Sequence, residues 1–143
     1  MRTRALAIAL VAFLGMVDTF YLSIKRNAGP IPCHVTRGCN DVLTSPYSEI
    51  KGTGIPISSL GLVFYLTVFS CAVFESFGSG HFLKWIFWPA LAAFLISIAL
   101  TGIQAFVLKA FCEYCLVSAG LVTTIFLLSL SLRQPSAVSR QSA

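Results

Sequence analysis

Four of the five cysteines in this 143-residue chain form two spaced pairs. Cys112 and Cys115 form a CxxC motif at the start of an apolar run, whereas Cys33 and Cys39 are separated by five residues in a polar stretch. Residues three apart share one face of a helix, so the sulfurs of Cys112 and Cys115 lie within reach of a disulfide. Two pairs that can touch could pass two electrons between them by thiol–disulfide exchange.

The position of Cys112 favours its thiolate form. At the start of a helix, unpaired N–H groups and the helix dipole attract negative charge. We therefore expect Cys112 to be the more reactive cysteine of the CxxC motif. The neighbouring carboxylate of Glu113 is expected to oppose this effect.

The composition indicates that membrane-spanning helices position these cysteines. Hydrophobic residues make up 57% of the chain and charged residues 10%, which is unlike a soluble domain of this size. Crossing a bilayer takes about 20 mostly apolar residues, and four such runs are present, at 5–24, 57–77, 82–108 and 111–132. We predict an all-α bundle of four transmembrane helices over residues 1–132, followed by a disordered polar tail over 133–143.

The net charge of +5 does not indicate nucleic-acid binding, because the basic residues are spread among the ends of the apolar runs. Lys and Arg flanking apolar runs are typical of membrane proteins. A cleaved secretory signal is an alternative for the first run, but such signals have apolar cores of roughly 7 to 15 residues, and this run is longer. We interpret it as a retained first helix.

Four spans place both termini on one side of the membrane and the cysteine loop, residues 25–56, on the other. Basic residues do not set the orientation. Arg2, Arg4, Lys84, Arg133 and Arg140 are on the terminal side, and Lys25, Arg26, Arg37, Lys51 and Lys109 are on the loop side. Because paired cysteines persist as disulfides outside the cytosol, we predict that the loop lies in a periplasm-like or lumenal compartment.

Several other residues are candidates for supporting roles. Ser45 and Pro46 are typical of the N-cap and first residue of a helix, so we predict a short amphipathic helix that docks near Cys112. Asp18 lies inside the first span, where a buried charge is costly, and is either functional or shallow enough to meet interfacial water. Cys71 has no spaced partner, and we interpret it as a packing residue.

Electron transfer between the pairs needs an acceptor. His34 and His81 both lie in links, so no histidine pair inside the membrane is available for haem, and the chain has no glycine-rich dinucleotide fingerprint. A lipid-soluble acceptor such as a quinone remains, and Cys115, one helical turn deeper than Cys112, is placed to meet it. Two alternatives stay open, namely zinc ligation by four cysteines and purely structural disulfides.

The combined pattern is more specific than a CxxC motif. It consists of Cys33-x5-Cys39, Ser45 six residues later, Gly61-x3-Tyr65 in the second span, and Cys112-x2-Cys115 opening the last span. This pattern resembles the vitamin K epoxide reductase family, including its bacterial members, over about residues 5–132. The resemblance implies a four-helix membrane bundle around a quinone of the menaquinone, ubiquinone or phylloquinone type. The resemblance to the bacterial members implies a bacterial inner membrane, with the cysteine loop on its periplasmic or extracytoplasmic side.

The resemblance also implies a role for each cysteine. By position, Cys33 would exchange with a separate thioredoxin-like extracytoplasmic protein, Cys39 would pass electrons to Cys112, and Cys115 would face the quinone. Ser45 would support the site, although a simple helix cap explains it equally well. The prolines before Cys33 hold the chain extended, which also indicates that Cys33 is the outer sulfur of its pair.

Two positions depart from the animal members that reduce vitamin K epoxide. Those proteins use an Asn and a Tyr where this chain has Ile57 and Ala119. We therefore expect a quinone-dependent thiol oxidoreductase that supports disulfide bond formation. The alternatives are a quinone or epoxide reductase in another pathway and a non-enzymatic scaffold stapled by disulfides.

Overall fold

Four long apolar helices dominate the computed structural model, which describes residues 2–78 and 82–133. In chain order the helices are α1 (Arg2–Ala28), α2 (Cys39–Leu43), α3 (Ile57–Ser76), α4 (Phe82–Trp85), α5 (Phe87–Ile103) and α6 (Glu113–Arg133). Helices α1, α3 and α6, and α5 with the π-helical turn Gln104–Leu108 that extends it, are each long and apolar enough to cross a membrane. The predicted bundle of four transmembrane helices is confirmed.

The third span differs from the single helix predicted over 82–108. The chain forms α4, breaks at Ile86, and continues as α5 from Phe87. Pro89 explains the break, because it has no N–H to donate to the carbonyl of Trp85 four residues earlier. The predicted polar tail lies outside the described residues except for Arg133, which ends α6.

The long helices are arranged as an open ring. Helix α1 packs along α3 and against α6, and α6 packs against α5, whereas α3 and α5 barely touch. Arg4, in the first turn of α1, donates a hydrogen bond to the carbonyl of Ser131 near the end of α6, at 3.2 Å. The ring is therefore closed by α1 on one side and leaves a gap between α3 and α5 on the other.

Tyr65 connects three of these helices. Its ring is fully buried, and α1 approaches it so closely that a Cβ at Gly15 would overlap the ring. The Tyr65 hydroxyl donates to the carbonyl of Ser118 on α6, at 3.0 Å. This one side chain of α3 thus fixes the positions of both α1 and α6.

The outer surface of the bundle is apolar. Large side chains such as Leu10, Val63, Ile98 and Val117 point away from the core and are exposed. In water such a surface would favour aggregation, whereas lipid chains solvate it. This surface is what an integral membrane protein requires.

The loop between α1 and α3 is anchored at both ends. Gly29 takes a positive φ of 124°, which turns the chain out of α1. Arg26, near the end of α1, forms an ion pair with Glu49, and an isolated antiparallel bridge joins Glu49 to Pro56 just before α3. The part of the loop next to α3, residues 49–56, is therefore held against the end of α1.

Candidate redox site

The link between α5 and α6 sets where the CxxC motif lies. After the π-helical turn Gln104–Leu108, Lys109 takes a left-handed backbone with φ 49°, and the N–H of Ala110 donates to the carbonyl of Gln104 at 3.1 Å. Helix α6 begins at Glu113, so Cys112 precedes its first residue. The helix was predicted to start near Phe111, and it starts two residues later because the link keeps its own turn.

Gln104 holds the first cysteine of the motif. Cys112 is fully buried, and its backbone N–H donates to the side-chain oxygen of Gln104 at 3.2 Å. The same buried amide approaches the sulfur of Cys115. Sequence reasoning missed Gln104, although a single amide in the apolar third span was a signal for it.

Cys112 and Cys115 are both free thiols. The side chain of Cys115 hydrogen-bonds to the Cys112 sulfur and lowers the pKa of Cys112 from 9.0 to about 7, despite the opposing effect of burial. The backbone N–H groups of Cys115 and Tyr114, in the first turn of α6, also lower this pKa. The direction agrees with the sequence-based expectation, but the largest cause is the neighbouring thiol rather than the helix terminus.

Cys33 and Cys39 form a disulfide with their Cα atoms 6.0 Å apart. Cys39 is fully buried at the start of α2, whereas Cys33 is only partly buried. Cys39 and Cys112 belong to one buried cluster, which also contains Leu22 and Val42. The structure therefore brings the two predicted pairs together.

Gly38 allows α2 to approach the CxxC motif. A Cβ at Gly38 would lie 2.8 Å from the Ala110 Cβ and 2.8 Å from the Phe111 nitrogen. Real Cβ atoms do not pack so closely, so only glycine fits between the loop and this link. Cys39 follows directly and is thereby placed beside the start of α6.

Glu113 and Tyr114, between the two CxxC cysteines, bind the backbone around Cys33. The Glu113 carboxylate accepts hydrogen bonds from the N–H of His34 at 3.0 Å and of Val35 at 2.6 Å. The Tyr114 hydroxyl donates to the carbonyl of Pro32 at 3.2 Å. The CxxC motif thus contacts the loop through its middle residues, which sequence reasoning did not foresee.

Ser45 lies at the N-cap position predicted for it, with Pro46 at the start of the following turn, but its side chain makes no capping hydrogen bond. The short helix of the loop, α2, ends before Ser45, and Pro46–Ser48 forms only a 3-10 turn. The buried Ser45 hydroxyl donates instead to the carbonyl of Val42 in α2, at 2.6 Å, so it does not bind an N–H of the 3-10 turn. Ser45 lies in the wall of a cavity between α3, α5 and α6.

A cavity of about 390 Å³ lies between α3, α5 and α6, beneath the loop. Its wall is mostly apolar and includes Ser45, Tyr65 and Cys115, but not Cys112. Small-molecule sites have volumes of about 300 to 1,000 Å³, so the cavity can hold a small ring. Cys115 is therefore the sulfur that meets the cavity.

The two remaining candidates have different surroundings. Asp18 is partly buried on α1, and its Oδ2 has no hydrogen-bond partner among the described residues. Cys71 is a free thiol packed against the core of the bundle, away from the two pairs, as expected for a packing residue.

The sequence model of the vitamin K epoxide reductase family matches residues 6–130, which is most of the chain and includes both cysteine pairs. The chain belongs to the vitamin K epoxide reductase family. The resemblance inferred from the cysteine spacing is thus confirmed. Membership of the vitamin K epoxide reductase family supports an oxidoreductase with a redox function in the membrane, and proteins of this family are in general linked to quinones.

Proposed function

We propose that this member of the vitamin K epoxide reductase family reoxidises the dithiol of a thioredoxin-like protein and passes two electrons to a membrane quinone. The observation that carries the proposal is the serial arrangement of the sulfurs. Cys33 is the more exposed cysteine of the loop pair, Cys39 and Cys112 share one buried cluster, and Cys115 lines the cavity. A path from the loop surface to the apolar cavity therefore passes through four sulfurs in order.

The cavity fits a quinone headgroup in volume and in its mostly apolar wall. The gap between α3 and α5 leaves room on the lipid side for a hydrocarbon tail. A bound quinone supplies an acceptor for two electrons and two protons. Cys115 would contact it, and Tyr65 and Ser118, which share a 2.9 Å hydrogen bond between their hydroxyls, would form part of its surroundings.

The first exchange loads electrons into the loop pair. A thiolate of the partner attacks the Cys33 sulfur, the Cys33–Cys39 bond breaks, and Cys39 leaves as a thiolate. The partner's second thiol then attacks the partner's first sulfur, which is bonded to Cys33 in the mixed disulfide, and releases Cys33. The partner leaves as a disulfide, and the loop pair holds two electrons.

The second exchange moves these electrons to the CxxC pair. The Cys39 thiolate attacks Cys112 of the Cys112–Cys115 disulfide and releases Cys115. Cys33 then attacks Cys39 and releases Cys112, whose lowered pKa makes it a good leaving group. The loop pair is then a disulfide and the CxxC pair two thiols, which is the redox state that the structure holds.

The wall of the cavity favours plain quinone reduction over epoxide reduction. Ile57 and Ala119 both line the cavity at the positions where the animal enzymes use Asn and Tyr. Their aliphatic side chains offer no hydrogen bond to a substrate oxygen. We therefore propose that the enzyme supports disulfide bond formation, with its loop on the extracytoplasmic side of a bacterial inner membrane and its termini in the cytoplasm.

The decisive experiment measures quinone reduction by the purified protein with a reduced thioredoxin-like donor. Turnover should be lost in Cys33→Ser and Cys115→Ser and retained in the control Cys71→Ser. If the disulfides stay oxidised in the presence of the donor and no quinone is reduced, the protein is instead a scaffold.

The roles of the CxxC cysteines have a separate test. In Cys112→Ser, a free Cys115 thiolate beside a quinone should give a charge-transfer absorbance. If the band appears in Cys115→Ser instead, the two roles are reversed.

A further inference from the structure

We propose that Glu113 and Tyr114 are positioning residues that hold the Cys33 segment over Cys112. In this position the segment speeds exchange between Cys39 and Cys112 and shields Cys112 from other thiols. The proposal deepens the proposed function, because it concerns the step between its two cysteine pairs.

Glu113 makes the stronger contact. Each oxygen of its carboxylate accepts one backbone N–H, from His34 at 3.0 Å and from Val35 at 2.6 Å. Hydrogen bonds to a charged acceptor are roughly twice as strong as those between neutral groups. A glutamine at this position has only one acceptor oxygen, so it could keep only one of the two bonds.

Tyr114 holds the other side of Cys33. Its hydroxyl donates to the carbonyl of Pro32 at 3.2 Å, and its ring lies 5.4 Å from the ring of Tyr21 on α1. The chain is thus bound at the Pro32 carbonyl just before Cys33 and at two backbone N–H groups just after it. Because Glu113 and Tyr114 are adjacent on α6, these contacts fix the segment relative to the CxxC motif itself.

The backbone of the segment has few other hydrogen bonds. Residues 30–37 belong to no helix or strand, and Pro30 and Pro32 have no N–H to donate. The N–H of Ile31 meets the side-chain oxygen of Asn40 only at 3.4 Å. The hydrogen bonds to Glu113 and Tyr114 therefore act together with the Cys33–Cys39 disulfide and the buried Ile31 side chain in setting where Cys33 lies.

Loosening this contact has two opposite consequences. Exchange between Cys39 and Cys112 slows, because their effective concentration depends on the loop staying in place. Cys112 is fully buried in the native protein. When the contact is loosened, it becomes accessible to small thiols and alkylating reagents. A variant that merely unfolds would lose all activity. Slower exchange between Cys39 and Cys112 together with faster reaction of Cys112 with small reagents therefore identifies a positioning role.

The first test follows disulfide formation directly and does not depend on quinone. In a background of Cys33→Ser, Cys71→Ser and Cys115→Ser, only Cys39 and Cys112 remain, and their oxidation by diamide is followed on non-reducing gels. We expect Glu113→Gln to slow this oxidation about tenfold and Tyr114→Phe about threefold, as loss of a charged and a neutral hydrogen bond should. Glu113→Asp, which keeps the charge, should recover part of the rate.

Glu49→Gln is the matched control, since it removes a carboxylate of the same loop whose partner is Arg26 rather than the Cys33 segment. It should leave the oxidation rate unchanged. Rates in Glu113→Gln and Tyr114→Phe equal to that of the background, or an equal loss in Glu49→Gln, would overturn the proposal.

The second test compares two electron donors on the otherwise native chain. With a reduced thioredoxin-like protein, quinone reduction by Glu113→Gln should fall about tenfold, whereas with dithiothreitol it should be maintained or rise. Alkylation of Cys112 by iodoacetamide should become faster. An equal fall with both donors would refute the positioning role.

The two proposals fail in different ways. A native protein that reduces no quinone with either donor refutes the proposed function, while the oxidation rate of Cys39 and Cys112 still decides the role of Glu113.

Discussion

The pH dependence of Cys112 reactivity tests the hydrogen bonds around its sulfur. Burial alone would raise the pKa of Cys112, but the Cys115 side chain and two backbone N–H groups lower it from 9.0 to about 7. At pH 7 a thiol with a pKa of about 7 is about half thiolate, whereas one with a pKa of 9.0 is about 1% thiolate. The hydrogen bonds therefore increase the thiolate population about 50-fold.

The perturbation that isolates this effect is Cys115→Ala, which removes the largest cause of the shift. We expect the apparent pKa of Cys112 to rise in this variant and its alkylation rate at pH 7 to fall by about an order of magnitude. Since the thiolate reacts, the rate should increase with pH, with its midpoint near 7 in the native protein and higher in the variant.

The assay is alkylation of the fully reduced protein by iodoacetamide between about pH 5 and about pH 10, a range that covers both pKa values. Peptide mass spectrometry separates Cys112 from the other cysteines. The ultraviolet absorbance of the thiolate, taken as the difference from Cys112→Ser, gives an independent titration. A native midpoint at or above the ordinary value, or a midpoint that Cys115→Ala does not move, would refute the reasoning.

Three other predictions follow from the packing and topology. Gln104→Leu leaves a buried N–H of the CxxC motif without its acceptor and should destabilise the protein by about 1 to 3 kcal/mol, seen as a lower unfolding temperature in detergent. Gly15→Ala should cost about 1 to 3 kcal/mol by overlap with the Tyr65 ring, whereas Gly120→Ala, which meets open space, should not destabilise; equal effects would contradict this account. An impermeant maleimide should label Cys33 in intact cells after mild reduction, and labelling only after lysis would reverse the proposed orientation.

The membrane spans were predictable because they depend on local composition. A helix needs only a sufficient run of apolar residues to cross a bilayer, so each of the four was found within a few residues of its ends. The spacing of the cysteine pairs is equally local, and it carried the family resemblance that the sequence model confirms. Boundaries that depend on local breaks, such as the one at Pro89, were less accurate.

The details of the site were not predictable because they arise from contacts between distant residues. Glu113 meets His34 and Val35 across almost 80 positions of the chain, and nothing in the neighbourhood of Glu113 specifies that partner. Ser45 and Pro46 were expected to begin an amphipathic helix, but they begin only a 3-10 turn, and the α-helix of the loop lies earlier, where Cys39 is buried. In both cases tertiary packing selects among local possibilities that the sequence leaves equal.

The π-helical turn Gln104–Leu108 constrains how the chain can change in length. Such a turn holds one residue more than the α-helical path it replaces, so deleting one residue there would restore a regular helix that still spans the membrane. The deletion would also remove the turn that leads into Lys109 and shorten the interval between Gln104 and Cys112 by one residue, so the Gln104 amide would no longer meet the N–H of Cys112. The eight-residue interval between Gln104 and Cys112 should therefore resist insertion and deletion during divergence, even where the lipid-facing side chains around it are free to vary.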